Sequence, residues 1–270
     1  MTNAPTADQP GGPMIDVQNQ PDNRRIKIDK VGVKDIRYPV TVRAKNQNDQ
    51  RTVASVNMYV DLPHHYKGTH MSRFIEILSR HRDSISLPSV SSILSDMKER
   101  LNAHSAHLEL TFPYFIEKRA PISGAVSLME YTCSLCGSQN NGKPDITVGV
   151  SVPITTLCPC SREISAYGAH NQRGLVKVTV GFRRFFWMED LIRLVETSCS
   201  AEVFSLLKRA DEKFVTETAF QNPMFVEDVV REVAVKILAD DTFTHFSISA
   251  ENFESIHNHS AYAYLEYHPD

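Results

Sequence analysis

Ile146-Thr147-Val148-Gly149-Val150-Ser151-Val152-Pro153-Ile154 alternates without a break and leads into Thr156-Leu157-Cys158-Pro159-Cys160-Ser161-Arg162-Glu163. Successive strand side chains point to opposite faces, so a period of two predicts a strand with one buried face. Val176, Val178, Val180 and Phe182 repeat the pattern after a loop containing Gly168-Ala169-His170-Asn171-Gln172-Arg173-Gly174. The two strands form a pair that carries two thiols and a histidine at its connecting end.

Upstream, Ile26 to Leu62 reads as two extended segments joined by the polar turn Lys45-Asn46-Gln47-Asn48-Asp49-Gln50. Met71, Phe74, Ile75 and Leu78 then share a helical face, and Val90, Ile93, Leu94, Met97 and Leu101 mark a second helix after Pro88. Leu108, Leu110 and Phe112 alternate, and a further extended run covers about Ala125 to Cys133. Downstream of the central pair the same order returns. Trp187, Met188, Leu191, Ile192 and Val195 have helical spacing, and Val203, Phe204, Leu206 and Leu207 suggest a short helix. A longer helix is expected from Asn222 as cap and Pro223 at its first position, with Val226, Val229, Val230, Val233 and Ile237 as its core face. Extended runs near Phe243 to Ser249 and Ala261 to Tyr267 close the chain. The expectation is an α+β fold of two tandem units, 26–140 and 141–270, divided in the polar stretch Gly137-Ser138-Gln139-Asn140-Asn141-Gly142. Residues 1–25, rich in Pro, Gly, Asn, Gln and Asp, are expected to form a disordered arm.

A chain of 270 residues with 41% apolar content supports real cores, and a formal charge of −3 offers no general attraction to nucleic acid or anionic membrane. No apolar run approaches the roughly 20 residues that cross a bilayer, and the first residues lack the order of a secretory signal. A cytoplasmic location is expected. Five cysteines, an odd number, argue for reduced thiols rather than a disulfide framework.

Two cysteine pairs invite a structural zinc site: Cys133 with Cys136, and Cys158 with Cys160. The second pair has one intervening residue, tighter than the usual knuckle, and the first sits in a strand pattern. Cys158 with His170, twelve residues apart, is a sharper pairing. Thiolate and imidazole together suit a divalent metal of intermediate softness, or the thiol is a nucleophile or simply buried. Glu212, in the charged run Lys208-Arg209-Ala210-Asp211-Glu212-Lys213, and His257, two residues before His259, could complete a shell. Each also has a plain reading, as a solvated helix residue and as one of two surface histidines on the same side of an extended segment. Glu227 lies four residues before Arg231, which is the spacing of an exposed helical ion pair. Equally, its carboxylate could accept two N–H donors from a guanine-like edge.

Thr156-Leu157-Cys158-Pro159-Cys160-Ser161, Gly168-Ala169-His170-Asn171-Gln172-Arg173 and Lys67-Gly68-Thr69-His70-Met71-Ser72-Arg73-Phe74 closely resemble GTP cyclohydrolase I of type IB, from about Ile26 to the C-terminus. The resemblance implies two tandem tunnelling-fold modules, antiparallel sheets backed by helices that form barrels between subunits. It implies a homotetramer with active sites at subunit interfaces and one divalent metal, zinc, manganese or iron, per site. The metal set carries over to Cys158, His170, Glu212 and His257, the last as ligand or proton carrier. Glu227 takes the place of the purine anchor. The implied reaction turns GTP and water into 7,8-dihydroneopterin triphosphate and formate, the first step toward folate, with Arg173, Lys67 and Arg73 as candidates for the triphosphate. Two segments, Leu157-Cys158-Pro159 and Phe225-Val226-Glu227-Asp228, also resemble the nitrile reductase of queuosine synthesis, where Cys158 would attack a nitrile and no metal is needed. The third alternative is a non-catalytic zinc protein built on Cys133, Cys136, Cys158 and Cys160.

Overall fold

The computed structural model describes residues 18, 20–45, 49–81 and 86–269. Among them the strands are β1 (Ile28–Val42), β2 (Gln50–Leu62), β3 (Ala106–Arg119), β4 (Val126–Gln139), β5 (Asp145–Leu157), β6 (Asn171–Phe182), β7 (Ala201–Glu202), β8 (Phe243–Asn252) and β9 (Ala261–Tyr267). The helices are α1 (Met71–His81), α2 (Leu87–Leu101), α3 (Pro159–Ile164), α4 (Met188–Glu196), α5 (Arg209–Gln221) and α6 (Val226–Leu238).

One antiparallel sheet runs β1-β2-β3-β4-β5-β6-β8-β9, with the short β7 on β5. The first half runs strand, strand, helix, helix, strand, strand; the second keeps a strand pair at each end but inserts α3 between β5 and β6 and places α4, β7, α5 and α6 before β8, and β4 pairs with β5 across the point of repetition. The register keeps one chemistry on each face. Phe112, Cys133, Val150, Val178 and Ile248 lie in one cross-strand row and are all buried. The adjacent row on the other face is Thr111, Ser134, Gly149, Thr179 and Ser247. The apolar face is covered by α1 and α2 in one half and by α4 and α6 in the other, and a single core cluster spans both. Each fully buried Val, Ile or Leu on that face contributes about 1.5–3 kcal/mol.

Several expectations need correction. On α1 the buried face is Phe74, Ile77 and Leu78, while Met71 and Ile75 are about two-fifths exposed. The turn to β5 occupies only residues 140–144, and Gly137-Ser138-Gln139 is the end of β4. There a Cβ on Gly137 would come within 2.6 Å of Val90 on α2, so glycine permits the close approach of helix to sheet. Val203 to Leu207 is not helical: Ala201 and Glu202 pair with β5, and Val203 O accepts a hydrogen bond from Lys118. Asn222 ends α5, and α6 begins at Val226 with Phe225 as its cap. The expected arm is structured at its end, where Pro21 bridges Tyr66 and Gly68 N–H donates to Gln18 O at 3.1 Å. The rest of that arm, 1–17 and 19, and positions 46–48 of the expected turn lie outside the described residues.

Two polar knots join the halves. In the first, Lys118 at the end of β3 reaches Glu196 on α4 at 2.5 Å, Glu202 at 3.0 Å and Val203 O at 2.8 Å, with its ammonium 4.3 Å from the centre of the Phe204 ring. Glu196 also accepts from the Tyr131 hydroxyl at 2.6 Å. In the second, the buried Asp211 on α5 accepts from Ile122 N–H, Ser123 N–H and Lys208 N–H, each at 2.8 Å, and from the Ser123 hydroxyl at 2.6 Å. Burial pushes the Asp211 carboxyl up, but these donors outweigh it and hold the group well below the usual carboxylate range.

The first knot is testable by denaturation. Lys118 and Glu196 side chains are only 9% and 7% exposed, so Lys118→Met should lower unfolding free energy by about 3–5 kcal/mol, since it leaves the buried carboxylate with the Tyr131 hydroxyl and with Arg193 at 3.8 Å but without its nearest cation. The double variant Lys118→Met/Glu196→Gln should recover part of that loss in urea titrations; a Lys118→Met protein within experimental error of the parent would refute the assignment.

Candidate metal and substrate site

Strands β5 and β6 end together, and their end is where the motif residues meet. Leu157 pairs with Asn171, and one step further Cys158 N–H donates to His170 O at 3.1 Å. Pro159 then opens α3, for which Cys158 is the cap: its Sγ accepts from Ser161 N–H at 3.4 Å. The Ser161 hydroxyl bridges the two motifs, donating to Cys158 O and accepting from His170 N–H, both at 3.2 Å. Cys158, Thr156 and Ile154 share one strand face with His170, Gln172 and Gly174 across the ladder, which is the face that carries the core.

The imidazole of His170 is held from one side. Its Nδ1 lies 2.9 Å from Gln172 Oε1, 3.5 Å from Ser255 Oγ and 4.0 Å from Glu254 Oε2. Gln172 is buried and turned so that its amide nitrogen donates to Thr156 Oγ1 at 2.9 Å, which leaves its oxygen for Nδ1. That arrangement suits the tautomer with its proton on Nδ1, in which Nε2 is the nitrogen open to a metal. A metal-ligating histidine is oriented in this way, with its second nitrogen bound to an outer partner. Cys158, half-buried, is hydrogen-bonded to His170 through the main chain, so adjacent strand ends carry one sulfur and one nitrogen donor, a chemistry that fits a divalent metal of borderline softness. Gln172 was within reach of sequence reasoning, since it lies two residues after His170 on a strand and so shares its face. Glu254 and Ser255, after β8, carry no such signal.

The other assigned residues stand apart from that pair. Among the described residues no three His, Cys, Asp or Glu side chains come together as a metal set, so Glu212 and His257 do not join Cys158 and His170 within one chain. Glu212 is exposed on the first turn of α5. His257 lies in a bent loop between β8 and β9, not in an extended segment, and its ring stacks on His259 at 5.1 Å. Glu227 is exposed on the first turn of α6, and Arg231 pairs with Asp228 at 3.3 Å instead of with Glu227. Met224 N–H donates to Leu157 O at 3.1 Å, which brings the start of that helix to the Cys158 strand end. Arg173 is exposed on β6 and Lys67 on the loop after β2, whereas Arg73 donates to Arg100 O at 3.0 Å at the end of α2.

The four-cysteine zinc site does not form. Cys133 and Cys136 are three residues apart on β4 and point to opposite faces. Burial pushes both thiols up, against the thiolate form that zinc needs. All five cysteines are free.

Residues 14–263 match the family model described as Type I GTP cyclohydrolase folE2. The chain belongs to this family. The match begins inside the N-terminal arm. Among curated relatives, the GTP cyclohydrolases FolE2 of Syntrophus aciditrophicus (strain SB) and Geobacter metallireducens are each 60% identical over 253 residues, 94% of this chain and 99% and 97% of theirs. Solved structures of similar fold include the uricases of Arthrobacter globiformis (TM-score 0.55, 8% identity, 90% of this chain and 94% of that one) and Bacillus fastidious (0.57, 8%, 89% and 93%). At such identity the likeness is one of fold, and the fold is the expected tandem tunnelling fold. FolE2 membership sets aside the nitrile reductase reading of Cys158. Among the described residues no helix is long and apolar enough to cross a membrane.

If Gln172 sets the His170 tautomer, Gln172→Ala should weaken zinc binding by about 10–100-fold with the fold intact. Chelator competition alongside circular dichroism checks it, and undiminished affinity in a folded variant would remove Gln172 from the site.

Proposed function

We propose that this chain is a metal-dependent GTP cyclohydrolase I, converting GTP and water to 7,8-dihydroneopterin triphosphate and formate in the first step toward folate. The observation that carries this is the β5–β6 end, where Cys158 and an oriented His170 meet in a chain 60% identical to FolE2 relatives along nearly its whole length.

Cys158 and His170 would hold the metal through Sγ and Nε2, and Glu212 adds a carboxylate. When bound, a divalent cation lowers the pKa of water and so makes a nucleophile available near neutral pH for attack at C8 of guanine. The Cys158 thiol must give up its proton as metal enters. Gln172 Oε1 holds the His170 ring at Nδ1, which leaves Nε2 as the ligating nitrogen. Glu227, on the first turn of α6, accepts two N–H donors of the guanine edge and so fixes which atom of the base faces the metal. His257, whose ring stacks on His259, belongs to the same site, as a further ligand or as the carrier of protons to the purine nitrogens. Exposed Lys67 and Arg173 offer charge for the triphosphate; Arg73 has a bond of its own to Arg100 O.

A homotetramer with active sites between subunits agrees with two features of the single chain. The donor set is incomplete within it, and large apolar groups near the site are left in solvent, among them Ile164 at 85%, Tyr167 at 101% and Ile256 at 64% exposure.

Metal-stripped protein given GTP should release formate and form fluorescent pterin only when zinc, manganese or iron(II) is restored. Cys158→Ala should abolish both metal retention and turnover, whereas Glu227→Ala should keep its metal and lose turnover. Activity that survives exhaustive chelation would sink the metal mechanism, and loss of metal in Glu227→Ala would reassign that residue to the shell.

A further inference from the structure

We propose that Asp211 is a positioning residue for the metal ligand beside it, fixing the main chain of Glu212 by tying the first turn of α5 to the β3–β4 turn; this rests on the reading of Glu212 as a ligand. In the run Lys208 to Lys213 every side chain is exposed except that of Asp211, which is 0% exposed. The capping-box bond of a helix takes one acceptor from its third residue, and Asp211 Oδ2 meets that need with Lys208 N–H at 2.8 Å. Its remaining capacity goes to another part of the chain. Oδ1 accepts from Ile122 N–H and Ser123 N–H at 2.8 Å each, and Oδ2 also takes the Ser123 hydroxyl at 2.6 Å. A cap alone needs neither the burial nor these three bonds.

The consequence falls on the next residue. Glu212 N–H donates to Lys208 O at 2.9 Å, so its peptide lies in the turn that the carboxylate anchors. The Glu212 side chain itself is exposed, so this backbone is what sets the point from which it projects. The β3–β4 turn belongs to the first module and the cysteine and histidine ligands to the second. Asp211 thus sets a ligand of the second module against a support in the first.

The test is zinc affinity of the full-length chain, measured by competition with a chromophoric chelator on protein shown to be folded by circular dichroism. Glu212→Ala should bind zinc weakly. Asp211→Asn and Asp211→Ala should weaken zinc by about 10–100-fold, as removal of an outer-shell partner does. Ser123→Ala, which keeps both N–H bonds to Oδ1, should lose about fivefold, the equivalent of one hydrogen bond. With cobalt(II) in place of zinc, the thiolate charge-transfer band of Cys158 should persist at saturation in all of them. Wild-type zinc affinity in folded Asp211→Asn and Ser123→Ala, beside a loss in Glu212→Ala, would overturn the positioning role. Wild-type affinity in Glu212→Ala would instead overturn the ligand reading on which it rests. Should the Asp211 variants fail to fold, Ser123→Ala decides by the same criterion.

Discussion

The pairing of β5 with both β4 and β6 is the constraint on which the rest of the molecule depends. Because β4 and β5 are hydrogen-bonded neighbours, the two modules share one sheet and one core instead of meeting as separate bodies. Because β5 and β6 run in register from Thr147 with Gly181 to Leu157 with Asn171, their common end brings Cys158 and His170 to hydrogen-bonding distance. A slip of one residue would send the valines to the polar face and carry the thiol away from the imidazole. Fold and site are thus fixed by the same ladder.

Polar groups buried under that end do a second job. Thr156 and Gln172 sit opposite one another, where a valine pair would pack as well, and bond to each other across the strands. Gln172 Oε1 thereby meets His170 Nδ1 at 2.9 Å and holds the imidazole in one orientation. Buried polar groups are costly unless paired, so a paired set directly beneath a histidine points to a demand beyond packing. The sheet therefore changes character along its length, from a valine-rich centre to a hydrogen-bonded rim.

The two modules are also held together off the sheet. Lys118 and Asp211 each carry a charge into a buried position and each spans the modules, one through carboxylates and a carbonyl, the other through N–H groups and a hydroxyl. Both act on segments of weak intrinsic order. Lys118 gathers the loop after β7, and Asp211 gathers the start of a helix whose only other buried residue is Ala219.

The sequence by itself determined the strands with strict alternation, the amphipathic helices α2 and α4, the twofold order of elements and the residues of the cysteine and histidine motifs. Each of these rests on spacing, and spacing is local. What escaped was decided by contacts across the chain. Helix α5 has almost no apolar face to detect, and the residues after β7 read as helix because their apolar groups are spaced like one, although they are drawn out by Lys118 and β5. Asp211 and Glu212 are adjacent and chemically alike, yet one is buried under four hydrogen bonds and the other lies in solvent. Only the tertiary structure could separate them, because the donors that bury Asp211 come mainly from Ile122 and Ser123, nearly ninety residues earlier in the chain.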